Sequence, residues 1–146
     1  KIMKRLVKFT GETPASVEAG IEETLEAYEA ALNASDIDTV LSLFASDGVF
    51  MPPNNASMVG SDAIRGAYEG IFQTITFDTE LTVEEVVQVA PNWAFARTQS
   101  NGHVTINAIQ QRVLDANHEL FIFQKGDGDT WKIARYAFAT TIPLPR

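Results

Sequence analysis

The chain has 146 residues, 45% of them hydrophobic, a formal net charge of −8 at pH 7 and no cysteine. That length suits one domain around a single core. The missing cysteine removes thiol nucleophiles, disulfides and thiolate metal sites, and the acidic balance argues against nucleic-acid binding. No apolar run is long enough for a signal peptide or a membrane span, so no membrane partner is expected and a cytoplasmic location is the default.

Residues 1–15 read as an extended arm that carries the basic cluster Lys1, Lys4, Arg5 and Lys8 and is closed by Gly11 and Pro14. Residues 16–146 form the single domain. Helical spacing of Val17, Ile21, Leu25, Tyr28 and Leu32 predicts a first helix over 16–33, with glutamates along its wet side. Asn33-Ala34-Ser35 breaks it, and Ser35 or Asp36 caps a second helix over about 36–45. A first strand over 47–52 is stopped by Pro52-Pro53-Asn54-Asn55, and Gly60-Ser61 opens a third helix with the stripe Ile64, Ala67, Tyr68, Ile71, Phe72.

From residue 77 the apolar period changes to two. Strands are expected over 77–90, 93–106, 118–125 and 131–141, with turns at Asn101-Gly102 and at Gly126 to Asp129. Helices followed by a run of strands read as α+β. Leu120 to Phe123 and Ile133 to Phe138 are apolar at successive positions, so both sheet faces should be covered, one by the helices and one by a second copy of the chain.

The stretch YEAALNASDIDTVLSLFASDGVFMPP (28–53), then VGSDAIR (59–65), then ELFIFQKGDGDTWKIARY (119–136) resembles the ketosteroid isomerase-like, or SnoaL-like, proteins of the nuclear transport factor 2-like superfamily. Its segments AFARTQSNGHVTI, NHELFIF and WKIARYAF are most similar to the SgcJ/EcaC group. The likeness covers most of residues 17–141. It implies a cone-shaped, curved antiparallel sheet wrapped around three N-terminal helices, a cystatin-like roll, dimeric through its outer sheet face. It also implies a hydrophobic pocket for a small oxygenated ligand, of the kind met in secondary metabolism, worked without a cofactor or a metal. Two functions are then expected: a cofactor-independent isomerase, cyclase or dehydratase, or a non-catalytic binding or dimerisation module.

The resemblance also assigns residues. Tyr28 matches the helix-one tyrosine and Glu119 the acid of the isomerases' oxyanion hole, an enzyme that serves as a standing example of a carboxylic acid held neutral by an apolar site. The proton-shuttling aspartate falls on Pro52, which can carry no proton. Along the strand beginning NWAFARTQS, period two puts Trp93, Phe95, Arg97 and Gln99 on one face, expected inward, where Arg97 pairs with Glu119. Tyr136 adds a wall and a hydroxyl. Phe44, Met51 and Asn54 are further ligand candidates, the latter two where the first strand opens, and Gln110 to Asn117 is expected as a mouth loop. His118 should point away from Glu119, and becomes a ligand contact only if the strand turns it inward.

Overall fold

The computed structural model describes residues 2–4 and 13–145, so Lys1, Arg5 and Lys8 of the basic arm lie outside the described residues. Helix α1 (Ala15–Asn33) starts after Pro14, and α2 (Ile37–Leu43) starts at Asp36, whose carboxylate accepts from the Thr39 amide at 3.1 Å and the Thr39 hydroxyl at 2.6 Å. Those bonds hold the Asp36 carboxyl below its usual range. A short strand β1 (Met3–Lys4) precedes the helices. Strand β2 (Phe44–Met51) leaves α2 directly and is followed by β3 (Met58–Val59) and by α3 (Ser61–Thr74), entered through Gly60 at φ 87°.

Four long strands complete the chain: β4 (Ile75–Ala90), β5 (Trp93–Ile106), β6 (Gln111–Lys125) and β7 (Trp131–Thr140). Among the described residues the sheet runs β1-β4-β5-β6-β7-β2-β3. The α+β architecture, three helices against one curved sheet, is as expected, but the sheet is mixed. β4 to β7 form an antiparallel meander, whereas β1 joins β4 and β2 joins β7 in parallel.

Two sequence expectations fail for one reason: the β5–β6 hairpin is longer than its turn signals imply. Asn101-Gly102 lies inside β5, paired with Glu80 and Thr79 of β4, and the turn sits beyond Ile106, with Gln110 at φ 50°. Gln111 to Asn117 is therefore strand and not mouth loop. Gly102 is required by close approach, since a Cβ there would stand 2.2 Å from the Asp78 carbonyl oxygen. The 126–129 turn is as read, with Gly128 and Asp129 at φ 74° and 63°.

Helix α1 lies across the concave face and buries Ile21, Leu25, Tyr28 and Leu32. It also seals part of the β4 edge. The Asn33 side-chain amide donates to the Thr79 carbonyl and accepts from the Thr79 amide, each at 2.9 Å, as a neighbouring peptide would, and the buried Glu29 carboxylate accepts from the Leu81 amide at 2.7 Å. An exposed edge would otherwise offer those groups to another chain. In β7 an extra residue, Ala134, breaks the register between Ile122↔Arg135 and Phe123↔Ile133. The bulge lets Trp131 and Ile133 below it and Tyr136 above it all enter the core, which strict alternation forbids.

Candidate active site

The three tyrosines of the chain arrive at one place from three elements. Tyr28 comes from the α1 stripe, Tyr68 from α3 and Tyr136 from β7 after the bulge, and all are at most 5% exposed. The Tyr28 and Tyr68 hydroxyls are 2.6 Å apart. Phe121 stacks on Tyr136 with centroids 4.1 Å apart and planes 5° from parallel, and meets Tyr28 edge-on at 5.8 Å. Burial pushes all three phenols well above the usual tyrosine value, so each is a neutral hydroxyl at physiological pH.

Beside them, Glu119 of β6 is 4% exposed. Its register partner Thr98 donates to Oε1 at 2.5 Å, and Ser100 donates to Oε2 at 2.6 Å. Burial raises the Glu119 carboxyl above its ordinary range, against the two hydroxyl bonds, and the Asp115 charge adds to the rise. Asn117 donates to Ser100 Oγ at 3.3 Å and to Asp115 Oδ2 at 3.1 Å. Burial raises the Asp115 carboxyl too, opposed by that bond from Asn117.

These groups line a cavity of about 50 Å³ walled by Phe50, Ile71, Phe77 and Phe138. Such a volume takes a few waters or the end of a ligand. Among the described residues no lysine, arginine or histidine lines it. A wider groove of about 540 Å³ between α3 and β2 shares Phe50, Ile71 and Phe138 with the cavity and is lined also by Pro52, Pro53 and Asn55. The arrangement can hydrogen-bond a ligand oxygen through phenols and exchange protons through two carboxyls. Among the described residues no His, Asp or Glu side chains come together as a metal-ligand set, and no helix is long and apolar enough to cross a membrane.

A model of the SnoaL-like domain matches residues 25–137. The chain belongs to this family. Its SnoaL-like fold is shared by a ketosteroid isomerase-like protein from Erwinia carotovora, 35% identical, with 86% of this chain and 96% of that one aligned at a TM-score of 0.82. At 16% identity the fold also matches a nuclear transport factor 2-like superfamily protein from Salmonella enterica, over 90% and 95% of the chains, at a TM-score of 0.76. A Nostoc punctiforme protein with a cystatin-like fold, 18% identical over 92% and 98%, gives 0.72. Among curated proteins there is no match.

In this SnoaL-like domain, Tyr28, Glu119 and Tyr136 meet at the cavity, and Arg97 does not. The β5 parity is the reverse of the sequence reading. Ala94, Ala96, Thr98 and Ser100 face inward, while Trp93, Arg97 and Gln99 face out. The concave side of β5 lies under α1 and beside the rings of Phe121 and Phe123, so only small side chains fit there. Arg97 pairs instead with Glu85 of β4, Nε to Oε1 at 3.1 Å. His118 is on the outer face, where it shares a hollow with Arg97 and Leu120.

Three other candidates also lie off the cavity. Phe44 is core, packed on Phe50 and Tyr68. Met51 is 42% exposed, and Asn54 sits in the turn after β2 at φ 63°. The site residues outside the sequence candidates are Tyr68, a core-stripe residue there, and Thr98 and Ser100, while Asp115 and Asn117 fall in the segment expected as a mouth loop. Their signal was present: from Glu119, period two backward reaches Asn117 and Asp115.

Proposed function

We propose that this domain binds a small neutral molecule by a carbonyl or hydroxyl oxygen and moves a proton on it without a cofactor, as an isomerase, cyclase or dehydratase does. The observation that supports this most is the convergence of Tyr28, Tyr68 and Tyr136 with Glu119 in one cavity that no cation lines among the described residues. Buried phenols are weak acids and good donors, and a buried carboxyl that resists ionisation is a good one as well. The cavity suits the oxygen-bearing end of a ligand, and the adjoining groove suits an apolar remainder.

A titration with 4-fluorophenol followed by fluorine NMR tests the site. Tyr28→Phe removes one hydrogen bond worth about 1–1.5 kcal/mol and is expected to weaken binding about tenfold, while Glu119→Gln weakens it through the neighbouring donor. Equal affinity in both variants and the wild type overturns the reading.

The second reading, a binding module without turnover, is favoured by Pro52, which lines the groove and, by the resemblance, falls at the position of the isomerases' proton-shuttling aspartate. Placement within the SgcJ/EcaC group belongs to the same proposal, as does dimerisation. The outer sheet face exposes Trp93 at 37% and Leu120 at 46%, the latter on a hollow lined also by Arg97, Ala137 and Ala139, and a second copy would cover that face. Sedimentation equilibrium is expected to give twice the 16.0 kDa chain mass, and a single-chain mass overturns the dimer.

A further inference from the structure

Two carboxyls share the cavity, and their surroundings set them apart. Glu119 sits deep, with both oxygens already taken by Thr98 and Ser100. Asp115 stands four residues earlier on the same face of β6, roughly 13 Å along the strand at about 3.3 Å per residue, and is half-buried. Its Oδ2 accepts from Asn117, while Oδ1 takes no hydrogen bond among the described residues. Asn117 uses one amide nitrogen for both Asp115 and Ser100, and Ser100 donates to Glu119, so a continuous line of hydrogen bonds joins the two acids.

Around them, α1 contributes Tyr28 and α3 contributes Tyr68, while Glu29 is turned to the β4 edge. Strands β4 and β5 present Thr79, Leu81 and Ser100 to the cavity, β7 presents Tyr136 and Phe138, and β2 presents Phe50. Among the described residues no cation lines the cavity to offset a second negative charge, so ionising one acid opposes ionising the other. In such a pair the roles follow the environments.

We propose that Asp115 is the proton-transfer residue of this cavity, with Asn117 positioning it and with Glu119 and Tyr28 holding the ligand oxygen. The proposal rests on the small-molecule reading above. For a ketone, the Asp115 carboxylate takes a proton from the carbon next to the carbonyl. The C–H electron pair forms the enolate double bond, and the charge on oxygen is met by the Tyr28 hydroxyl and the Glu119 acid. Return of a proton from Asp115 to carbon restores the ketone or, at the far end of a conjugated system, isomerises it.

The test uses cyclopentanone in deuterium oxide, with exchange of its α-protons followed by proton NMR. The wild type is expected to exchange them faster than buffer, and Asp115→Asn, nearly isosteric and still an acceptor for Asn117, to lose on the order of 10²-fold of that rate while still binding 4-fluorophenol. A carbon-13 carboxyl titration supplies a readout apart from turnover: Asp115→Asn should lower the midpoint of Glu119 and leave one step where the wild type shows two coupled ones. Wild-type exchange rates in Asp115→Asn, or a Glu119 midpoint that does not move, overturn the role of Asp115 and leave the binding reading standing. Failure of the wild type to bind 4-fluorophenol sinks that reading, and absence of wild-type exchange sinks the proton-transfer role.

Discussion

Phe121→Ala is expected to destabilise the domain by about 3–5 kcal/mol, the range for removing a fully buried aromatic ring. The ring has no exposed surface, stacks on Tyr136 at 4.1 Å and on Phe123 at 5.8 Å, and meets Tyr28 edge-on. Its neighbours belong to a sheet and a helix held by many other contacts and cannot collapse into the gap, so the cavity term adds to the lost transfer energy. Domains of this size hold roughly 5–15 kcal/mol in total, and a loss of this order lowers Tm by about 10 °C. Urea and thermal unfolding measure it. A loss below about 1 kcal/mol would mean that the site floor is already loose, and that Tyr28 and Tyr136 are not held in place by packing.

Gly102→Ala is expected to cost about 2–3 kcal/mol, by overpacking rather than by a void. The added methyl would stand 2.2 Å from the Asp78 carbonyl oxygen and 2.9 Å from the Thr79 Cα, both backbone atoms that cannot rotate away. Strands β4 and β5 must part at the Thr79↔Gly102 pair, and Thr79 is also the residue that Asn33 of α1 grips through both backbone groups. Unfolding midpoints in urea check the stability, and amide exchange at Thr79 and Leu81 checks the place. By contrast, Gly66 and Gly70 of α3 would place a methyl in open space, so alanine there serves as the tolerated control. Stability of Gly102→Ala within about 0.5 kcal/mol of wild type would show that the strands separate freely at this pair.

Gly102 also shows where reading the chain stops. Asn-Gly is a strong hairpin signal, yet here glycine serves a close strand crossing inside β5, and nothing local distinguishes the two uses. Arg97 is the second case. Period two correctly put Trp93, Arg97 and Gln99 on one face, but which face depends on what packs against β5. The resemblance put that face inward, and the interior was already filled by α1, Phe121 and Phe123. Tyr28 was legible because helical spacing and the matched segment both pointed to it, and Glu119 and Tyr136 because the matched segments did. Tyr136 reaches the core together with Trp131 only through the bulge at Ala134, which no residue type announces.

Hydrophobic periodicity and capping residues are local properties, and they determined the helices, the order of elements and the α+β class, while the matched segments carried the family likeness. Facing and partnership are not local. Whether a strand shows its odd or even residues to the helices, whether Glu119 meets a guanidinium or two hydroxyls, and whether Asp115 stands on a cavity wall are settled by the volume left between elements. A side chain placed on the crowded face must be small, and one placed on the open face need not be.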